Sequence, residues 1–532
     1  MKKILLIMAL IASVGAWGVP ARRGGIVRKG ADGIEKTVYL HGNEHFHYMT
    51  DEQGRWLDET SLAPLSATEK ENLMQAGEAR LKQVRRATQQ QMGIGDKPNP
   101  APRGLVILVN FQDKEFVTPK DTLDNMHNGA HFTRKYKYDY EYAGHTYHYD
   151  ISSEGSARQY FQDQSYGQYN PVFDLIGPVT VSQNVSYYGS NNDANAPKMI
   201  KEACQLADNA GVDFSQYDND NDGYVDFVYV VYAGYGQADG GGENTIWPHQ
   251  WTLRAAGINL KLDGKKVDRY ACGSELSFWS KLYAGIGTFC HEFSHVLGLP
   301  DFYETNNPQT GIHTLCDWDL LDYGPYNNDG NTPPSYSAYE RFYMGWLTPR
   351  MLTKPENVTL YPINEDGGSS LLISTTNTHN MSGWNPDPTK YYLLEVHNLD
   401  GWDAPLPGPG MLITKIDFDY SKWFNNAVNC DAQAMGMDMI EAKTNTSRYG
   451  AATDAYPAGA TYWTAFADHE ITEITRDKKT GAVSFKYRGG VPAAVEDVTS
   501  EDGKPVKIIR NGQVVIVRDG KMYDLLGRLI EL

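Results

Sequence analysis

Two histidines and a glutamate stand close together in the stretch GTFCHEFSHVLGLPDFYE, residues 287–304. On an α-helix, His291 and His295 lie one turn apart on the same side, so two imidazole nitrogens can reach one metal ion. Glu292 is adjacent to the first histidine, where its carboxylate can take a proton from the attacking water without binding the metal. This HExxH pattern predicts a zinc site that hydrolyses peptide bonds.

The residues after this pattern supply a third candidate ligand. Gly298 allows the helix to end in a left-handed turn, and Pro300 prevents it from resuming. The chain then doubles back, so that Asp301 can join the two histidines. The whole reads HExxHxxGxxD, the metzincin arrangement with aspartate as the third ligand.

The same residues allow two alternatives to this zinc site. One is a buried helix that contains polar residues by chance, but burying two histidines and a glutamate without partners would be costly. The other is a thermolysin-like site with a glutamate ligand on a second helix, which Gly298 and Pro300 disfavour because they end the helix early.

A second acidic group occurs at DNDNDGYVD, residues 218–226. Aspartates at positions one, three and five, followed by Gly223, match the first half of an EF-hand calcium loop, although Tyr229 replaces the glutamate of position twelve. Carboxylates this close repel one another without a cation. We therefore predict a structural calcium site, with a solvated acidic turn as the alternative. Its ligands would be Asp218, Asp220, Asp222, the backbone carbonyl of Tyr224, and Asp226.

Several other histidines could serve the site. His249, in IWPHQW, could line a substrate cleft, but a packed histidine is the favoured interpretation. The stretch LHGNEHFHYMTD belongs to the predicted pro-segment and could bind or cover the zinc. The residues that could do so are His41, His45, His47 and Asp51. A β-hairpin with surface histidines is the favoured interpretation. A cysteine switch is excluded, because no cysteine precedes Cys204.

Charge and the N-terminal residues limit the class of protein. The net charge of −18 over 532 residues argues against nucleic acid as a partner, because phosphate binding needs a basic surface. A short basic region, an apolar run over 4–14 and small residues after it predict a signal peptide at residues 1–21. An uncleaved anchor is the alternative. No later stretch is apolar for about 18 residues, so we expect a secreted or cell-surface chain without a transmembrane span in its mature form.

Hydrophobic patterning divides the remaining chain into four parts, 22–100, 104–350, 351–487 and 488–532. The first contains an aromatic strand–turn–strand stretch and a charged helix, and it ends in GDKPNPAPRG, an expected linker and processing site. The second mixes buried strands with helices, including one predicted over 282–298 that carries the metal motif. The third alternates strand-like stretches with turns. The fold class is therefore an α/β (α+β) metzincin-like zinc peptidase domain followed by an all-β sandwich domain.

Three stretches resemble the M6 metallopeptidases, the immune inhibitor A family: HEFSHVLGLPDFYE, WDLLDYGPYNNDGNTPPSYSAYERFYMGWL and RGLVILVNFQDKEF. The resemblance covers most of residues 30–470. It implies a secreted bacterial zinc endopeptidase that acts on proteins, is made as a zymogen and has calcium support. Carried over, it makes His291, His295 and Asp301 the zinc ligands and Glu292 the general base. The predicted pro-segment would then inhibit its own enzyme.

The turn that should lie beneath the metal departs from this family. It reads WDLLD, so Leu321 stands where such enzymes usually have methionine. Leucine has similar volume and apolarity, so a packing role survives. Tyr323 follows two residues later, where a tyrosine stabilises the tetrahedral intermediate in some metzincins. A tyrosine that merely packs under the site is the alternative.

The last residues, NGQVVIVRDGKMYDLLGRLIEL, resemble the C-terminal sorting domains of the type IX secretion system. This resemblance implies export across an outer membrane, and a final hairpin of the β domain is the alternative. Together, these observations predict a secreted zinc endopeptidase. The competing hypothesis is a surface binding or adhesion protein that keeps the peptidase fold without useful catalysis, for which the β domain and Leu321 are the support.

Overall fold

A computed structural model describes residues 17–44, 46–87, 99–142, 145–306, 309–365, 369–444, 449–464, 466, 468–491, 506–510, 513–518, 521–524 and 528–530. Most of the predicted signal peptide, His45 and much of the predicted linker therefore lie outside the described residues.

The helices are α1 (Ala67–Ala87), α2 (Lys120–Asn128), α3 (Ala157–Gln164), α4 (Val185–Asp193), α5 (Ala196–Asn209), α6 (Gly287–Val296), α7 (Ala338–Tyr343) and α8 (Tyr420–Phe424). The strands are β1 (Gly25–Lys29), β2 (Glu35–Gly42), β3 (His47–Thr50), β4 (Trp56–Leu57), β5 (Arg103–Asn110), β6 (Thr133–Tyr142), β7 (His145–Glu154), β8 (Val172–Thr180), β9 (Tyr224–Val225), β10 (Val228–Tyr235), β11 (His249–Thr252), β12 (Leu260–Leu262), β13 (Lys265–Val267), β14 (Arg269–Leu276), β15 (Arg350–Met351), β16 (Glu356–Leu360), β17 (Leu371–Ser374), β18 (Lys390–His397), β19 (Gly410–Asp417), β20 (Met437–Met439), β21 (Trp463–Thr464), β22 (Glu470–Arg476), β23 (Val483–Tyr487), β24 (Val506–Arg510), β25 (Gln513–Arg518) and β26 (Lys521–Tyr523).

A five-stranded sheet in the order β11-β14-β10-β5-β8 forms the centre of the peptidase region. Four of its strands run parallel, and β11 lies antiparallel at one edge. The run over β5 is apolar throughout because both of its faces are covered: Leu105 and Ile107 pack toward α5, and Val106 and Leu108 pack toward α6. The sheet therefore supports the metal-motif helix from one side.

The metal-motif helix is shorter than the sequence pattern predicts. The predicted span of 282–298 was wrong at both ends, since α6 covers Gly287–Val296. Before the helix, the backbone of Gly285 lies against that of Gly330: a Cβ on Gly285 would lie 2.0 Å from the carbonyl oxygen of Gly330. After it, Gly298 adopts a φ of 96°, the left-handed turn that the sequence predicts.

The N-terminal region forms a sheet in the order β1-β2-β3-β4, followed by α1. Its apolar residues share one core cluster with Trp247 and Trp279 of the peptidase region. The predicted pro-segment is therefore packed onto the peptidase domain by a continuous apolar contact.

The region after residue 350 contains two sheets, in the orders β15-β17-β18-β19-β20 and β16-β23-β22-β21. The predicted strands are present, and the short helix α8 interrupts them. Tyr391, Ile416 and Met437 of the first sheet belong to the same core cluster as α6, so this region packs directly against the peptidase domain. Near the end of the chain, β24, β25 and β26 form a small antiparallel sheet. None of the helices that the structure describes combines the length and apolar character needed to cross a bilayer.

Candidate metal centre

The structure brings the three predicted zinc ligands together in the protein interior. The Nε2 atoms of His291 and His295 lie 3.1 Å apart, and Oδ1 of Asp301 lies 3.1 Å and 3.3 Å from them. Both imidazoles come from one face of α6, and the turn at Gly298 brings Asp301 back to meet them. This is the geometry that the helix spacing and the glycine predicted.

Hydrogen bonds fix the orientation of both imidazoles. Nδ1 of His291 donates to the carbonyl oxygen of Leu320 at 2.7 Å, and Nδ1 of His295 donates to that of Leu299 at 2.8 Å. A neutral imidazole that donates from Nδ1 presents the lone pair of Nε2. Both lone pairs therefore face the shared centre.

These residues fit a zinc ion. Zinc–nitrogen and zinc–oxygen bonds of about 2.1 Å in a tetrahedron separate the ligand atoms by about 3.4 Å, close to the separations between the ligand atoms of His291, His295 and Asp301. Among the described residues, Oδ1 of Asp301 has no hydrogen-bond donor although it is fully buried. Burial alone would raise the pKa of Asp301, but the two histidines lower that pKa below its usual range. Two imidazole nitrogens and a carboxylate that face one buried centre form a metal-binding donor set.

Glu292 lies next to this cluster on α6. Its Oε1 accepts a hydrogen bond from the backbone N–H of Val19 at 3.0 Å, and its Oε2 has no partner among the described residues. Burial, and then the nearby charges of Asp301 and Glu44, raise the pKa of Glu292. The side chain is therefore suited to accept a proton, as a general base requires.

The turn with Leu321 packs beneath the histidines. Leu321 is completely buried, and its backbone N–H donates to Oδ1 of Asp319 at 2.7 Å. Its carbonyl oxygen accepts from the N–H of Phe302 at 2.8 Å, and its neighbour Leu320 receives the hydrogen bond from His291. The turn is thus connected to two of the ligands through the backbone, without a methionine.

Residues 17–20 cross the metal centre, a relationship that sequence reasoning missed. Trp17 pairs antiparallel with Gln250 of the edge strand β11, and its ring meets that of His295 at a centroid distance of 5.1 Å. The carbonyl oxygen of Gly18 accepts from the hydroxyl of Tyr303 at 2.6 Å, while the next N–H, of Val19, donates to Glu292. One peptide bond is therefore held between Tyr303 and the expected general base.

Two more side chains hold the same segment further along. Nε1 of Trp247 donates to the carbonyl oxygen of Val19 at 2.8 Å, and the hydroxyl of Tyr326 donates to the carbonyl oxygen of Pro20 at 2.6 Å. Trp17 and Val19 are almost fully buried. The small residues of this stretch suggested only the end of a signal peptide, and no local signal in the sequence shows that they reach the metal centre.

The structure gives Tyr323 a different neighbour from the one expected. The guanidinium of Arg23 lies 3.3 Å from the centroid of the Tyr323 ring, and Tyr323 is 6.4 Å from Tyr303 between ring centroids. It is Tyr303, two residues after Asp301, whose hydroxyl contacts the peptide that lies on the site. In the sequence, only its position two residues after Asp301 could have indicated that Tyr303 belongs to the site.

Three of the predicted calcium ligands converge: Asp218, Asp220 and Asp222 present carboxylate oxygens within 4.8 Å of one another. Asp218 also accepts from Nζ of Lys265 at 2.5 Å. Asp226 instead accepts from the backbone and side-chain nitrogens of Asn219, at 3.0 Å and 2.6 Å. Tyr224 begins β9, and its N–H donates to Asp222 at 2.7 Å.

The remaining histidines are occupied elsewhere. Nδ1 of His249 lies 2.7 Å from the carbonyl oxygen of Trp247, as expected of a packed histidine. His41 stacks on Tyr48, and His47 stacks on Trp247. Asp51 closes the turn before β4 by accepting from Arg55 at 2.6 Å. The stretch therefore forms the expected hairpin of β2 and β3, but His47 is not a surface histidine, because its side chain packs against Trp247.

Comparisons with known proteins agree with this site. Residues 98–347 match the model of the immune inhibitor A peptidase M6 catalytic domain. The pre-pro-metalloprotease PrtV of Vibrio cholerae serotype O1 is 26% identical over 271 residues, which cover 43% of this chain and 29% of that protein. Immune inhibitor A of Bacillus thuringiensis subsp. alesti is 28% identical over 221 residues, 36% of this chain and 32% of that protein.

The predicted M6 resemblance is thereby confirmed for residues 98–347, which match the catalytic-domain model of that family and align with two metalloprotease relatives. The matched part spans about 30% of the length of these curated relatives.

Proposed function

We propose that the chain is a secreted zinc-dependent endopeptidase, made as a zymogen, that hydrolyses peptide bonds of protein substrates. The observation that carries the proposal is the buried cluster of His291, His295 and Asp301, with the carboxylate of Glu292 beside it. The metzincin-like assignment rests on the turn at Gly298, which returns the third ligand to the helix.

The residues around the cluster have complementary roles in hydrolysis. Zinc, when bound to this donor set, polarises a carbonyl group and lowers the pKa of water. Glu292 takes the proton of the attacking water and passes it to the leaving amine, which the contact with the N–H of Val19 imitates. Tyr303 donates a hydrogen bond to the oxygen of the attacked carbonyl, as it does to Gly18.

Residues 17–23 account for latency in this proposal. They lie across the metal centre and cover Glu292 and His295. For these residues to remain in the exported zymogen, the signal peptide predicted for residues 1–21 must be cleaved before Trp17. Residues 17–23 therefore make the inhibitory contact, and the sheet of β1 to β4 anchors them to the peptidase domain. The histidine-rich hairpin contributes to this anchor through His47 and Trp247.

Two further features complete the proposal. The converging carboxylates of Asp218, Asp220 and Asp222 favour a structural calcium ion just before β10. The small sheet at 506–523 is compatible with a type IX sorting domain, so we propose export followed by release or surface retention.

One experiment separates this function from the adhesion-protein alternative. The recognition sequence of a site-specific protease is inserted within residues 88–98, and the folded full-length chain is cut there. We expect the cut chain to hydrolyse casein, a zinc chelator to abolish hydrolysis, and Glu292→Ala to lower it about 10²–10⁴-fold. If the cut wild type is as silent as Glu292→Ala, the adhesion-protein hypothesis is the better one.

A further inference from the structure

We propose that Asp239 and Asp329 form a subsite of the peptidase cleft that binds an arginine side chain of the substrate. In the latent chain, Arg22 of the N-terminal segment fills this subsite. The proposal rests on the proposed function, because it requires the segment to leave a working peptidase.

Arg22 bridges the two carboxylates with the two ends of its guanidinium group. Its NH1 donates to Oδ1 of Asp239 and its NH2 to Oδ1 of Asp329, both at 2.8 Å. The guanidinium carbon also lies 4.7 Å from the ring centroid of Trp279 and 5.7 Å from that of Tyr326. A planar, forked cation between two acids and two aromatic rings is the pattern by which proteins recognise arginine.

The peptidase domain holds both acids in place without help from Arg22. Oδ2 of Asp239 accepts from the backbone N–H of Phe278 at 2.5 Å, and Oδ2 of Asp329 accepts from the hydroxyl of Tyr136 at 2.6 Å. These donors belong to the loops after β14 and to β6, which stay when the N-terminal segment leaves. The subsite is therefore already formed in the peptidase domain.

The two acids need a cation. The side chain of Asp239 is 12% exposed and that of Asp329 is 1% exposed. Burial raises the pKa of Asp239, because a carboxylate removed from water is costly unless an opposite charge compensates it. Departure of Arg22 removes the opposite charge from between the two acids, and an arginine of the substrate can replace it.

The course of the segment assigns a position to the subsite. Tyr303 and Glu292 hold the peptide bond between Gly18 and Val19, and Arg22 is the fourth residue after that bond. The N–H of Arg22 donates to the carbonyl oxygen of Ala238 at 2.8 Å, so the backbone is fixed there as well. We therefore assign the subsite to the fourth residue after the cleaved bond.

The neighbouring Arg23 provides a matched control. Its side chain is 16% exposed, and its NH1 lies 3.5 Å from Oδ1 of Asp317, a single and longer ion pair. It also stacks on Tyr323 rather than entering the pocket of Arg22. Loss of its charge should weaken binding less than loss of the charge of Arg22.

The first test measures binding, which does not require hydrolysis. The full-length chain is cut within 88–98 and separated from its N-terminal segment, and a fluorescently labelled peptide of residues 17–24, WGVPARRG, is titrated against it. We expect Arg22→Gln in the peptide to weaken binding by about tenfold or more, because it loses the charge-assisted pairs with Asp239 and Asp329. Arg23→Gln should weaken binding less than about threefold. Equal losses for the two peptides would overturn the subsite.

The second test measures cleavage. Two fluorogenic peptides differ only at the fourth residue after the cleaved bond, which is arginine or glutamine. We expect kcat/KM to favour arginine by about tenfold, and this ratio to fall to about one in a chain with Asp239→Asn and Asp329→Asn. That chain also carries Arg22→Gln, so that no unpaired guanidinium is buried during folding. Asp121→Asn, on the exposed side of α2, is the control and should keep the ratio.

The outcomes separate this inference from the proposed function. Equal cleavage of the two peptides by the wild type overturns the subsite while the peptidase assignment stands. A cut chain that hydrolyses neither peptide nor casein overturns the proposed function, and the role of the subsite in substrate recognition with it. A tenfold preference that the two aspartate substitutions remove supports both.

Discussion

Asn426 holds the backbone and the side chain of Asp301 at the same time. Its Oδ1 accepts from the N–H of Asp301 at 2.7 Å, and its Nδ2 donates to Oδ2 of Asp301 at 2.6 Å. The two residues are 125 positions apart, and Asn426 lies beyond the 98–347 segment that matches the M6 catalytic domain. The third proposed metal ligand is therefore positioned by the region that follows the peptidase domain.

Replacement of Asn426 by alanine should loosen the metal centre. Without the amide, Asp301 loses the hydrogen bonds that orient its free oxygen toward the histidines, so we expect zinc affinity to fall about 10–100-fold. Competition with a chromophoric chelator measures this affinity. Asn425→Ala is the matched control, because the side chain of Asn425 bonds to Ser421 instead. An unchanged affinity in Asn426→Ala would show that Asp301 needs no such support.

Tyr303 and Tyr323 make different predictions for catalysis. Tyr303→Phe removes the hydroxyl that contacts the carbonyl of the bound segment, so we expect kcat to fall about 10²-fold or more with little change in KM. Tyr323→Phe should have a smaller effect on kcat, because in the structure Tyr323 contacts Arg23 and not the carbonyl of the bound segment. Steady-state kinetics of the cut chain decide between them. A larger loss of kcat in Tyr323→Phe than in Tyr303→Phe would show that Tyr323 stabilises the tetrahedral intermediate, as the sequence predicted.

Leu321 should act through packing alone. Leu321→Met conserves volume in a fully buried position, so we expect kcat/KM to change less than about threefold and stability by less than about 1.5 kcal/mol. Leu321→Ala creates a cavity beneath the histidines and should cost about 2–5 kcal/mol of unfolding free energy. Chemical denaturation and casein assays of both variants test this. A large gain of activity in Leu321→Met would instead show that methionine has a specific role.

Calcium should stabilise the loop before β10. Its three carboxylates repel one another when no cation is bound, so we expect added calcium to raise the melting temperature and Asp222→Asn to remove most of that rise. Differential scanning calorimetry with and without calcium measures the shift. Asp121→Asn, remote from the loop, serves as the control. A melting temperature that is insensitive to calcium would favour the solvated acidic turn.

His397 should make stability depend on alkaline pH. Burial lowers its pKa, but Asp403 at 2.7 Å and Glu395 at 3.5 Å outweigh burial and raise the pKa of His397 from 6.5 to about 10. Because the folded pKa is the higher one, the stabilisation is complete below about pH 6.5 and is lost as pH rises toward 10.

The measurement compares the wild type with His397→Gln. We expect the difference in unfolding free energy between them to shrink by on the order of 1 kcal/mol per pH unit between pH 7 and 10. A constant difference across this range would mean that His397 is not charged in the folded chain.

The sequence by itself determined the donor set and the local geometry that presents it. Four-residue spacing places His291 and His295 on one helix face, and Gly298 has the left-handed turn that brings back Asp301, because both follow from short-range backbone geometry. The central strand around Leu105 to Val109 was also predictable, since a strand buried on both faces must be apolar throughout. The first helical residue was not predictable, because it depends on the close contact of Gly285 with the distant backbone of Gly330.

Only the tertiary structure decided what surrounds that donor set. Several hydrogen bonds join residues more than 100 positions apart: Asn426 with Asp301, Val19 with Glu292, and Arg22 with Asp239 and Asp329. No periodicity or local spacing encodes such contacts, because they depend on how whole sheets pack. For the same reason, the sequence directed attention to Tyr323, whereas the folded chain places the hydroxyl of Tyr303 against the bound peptide.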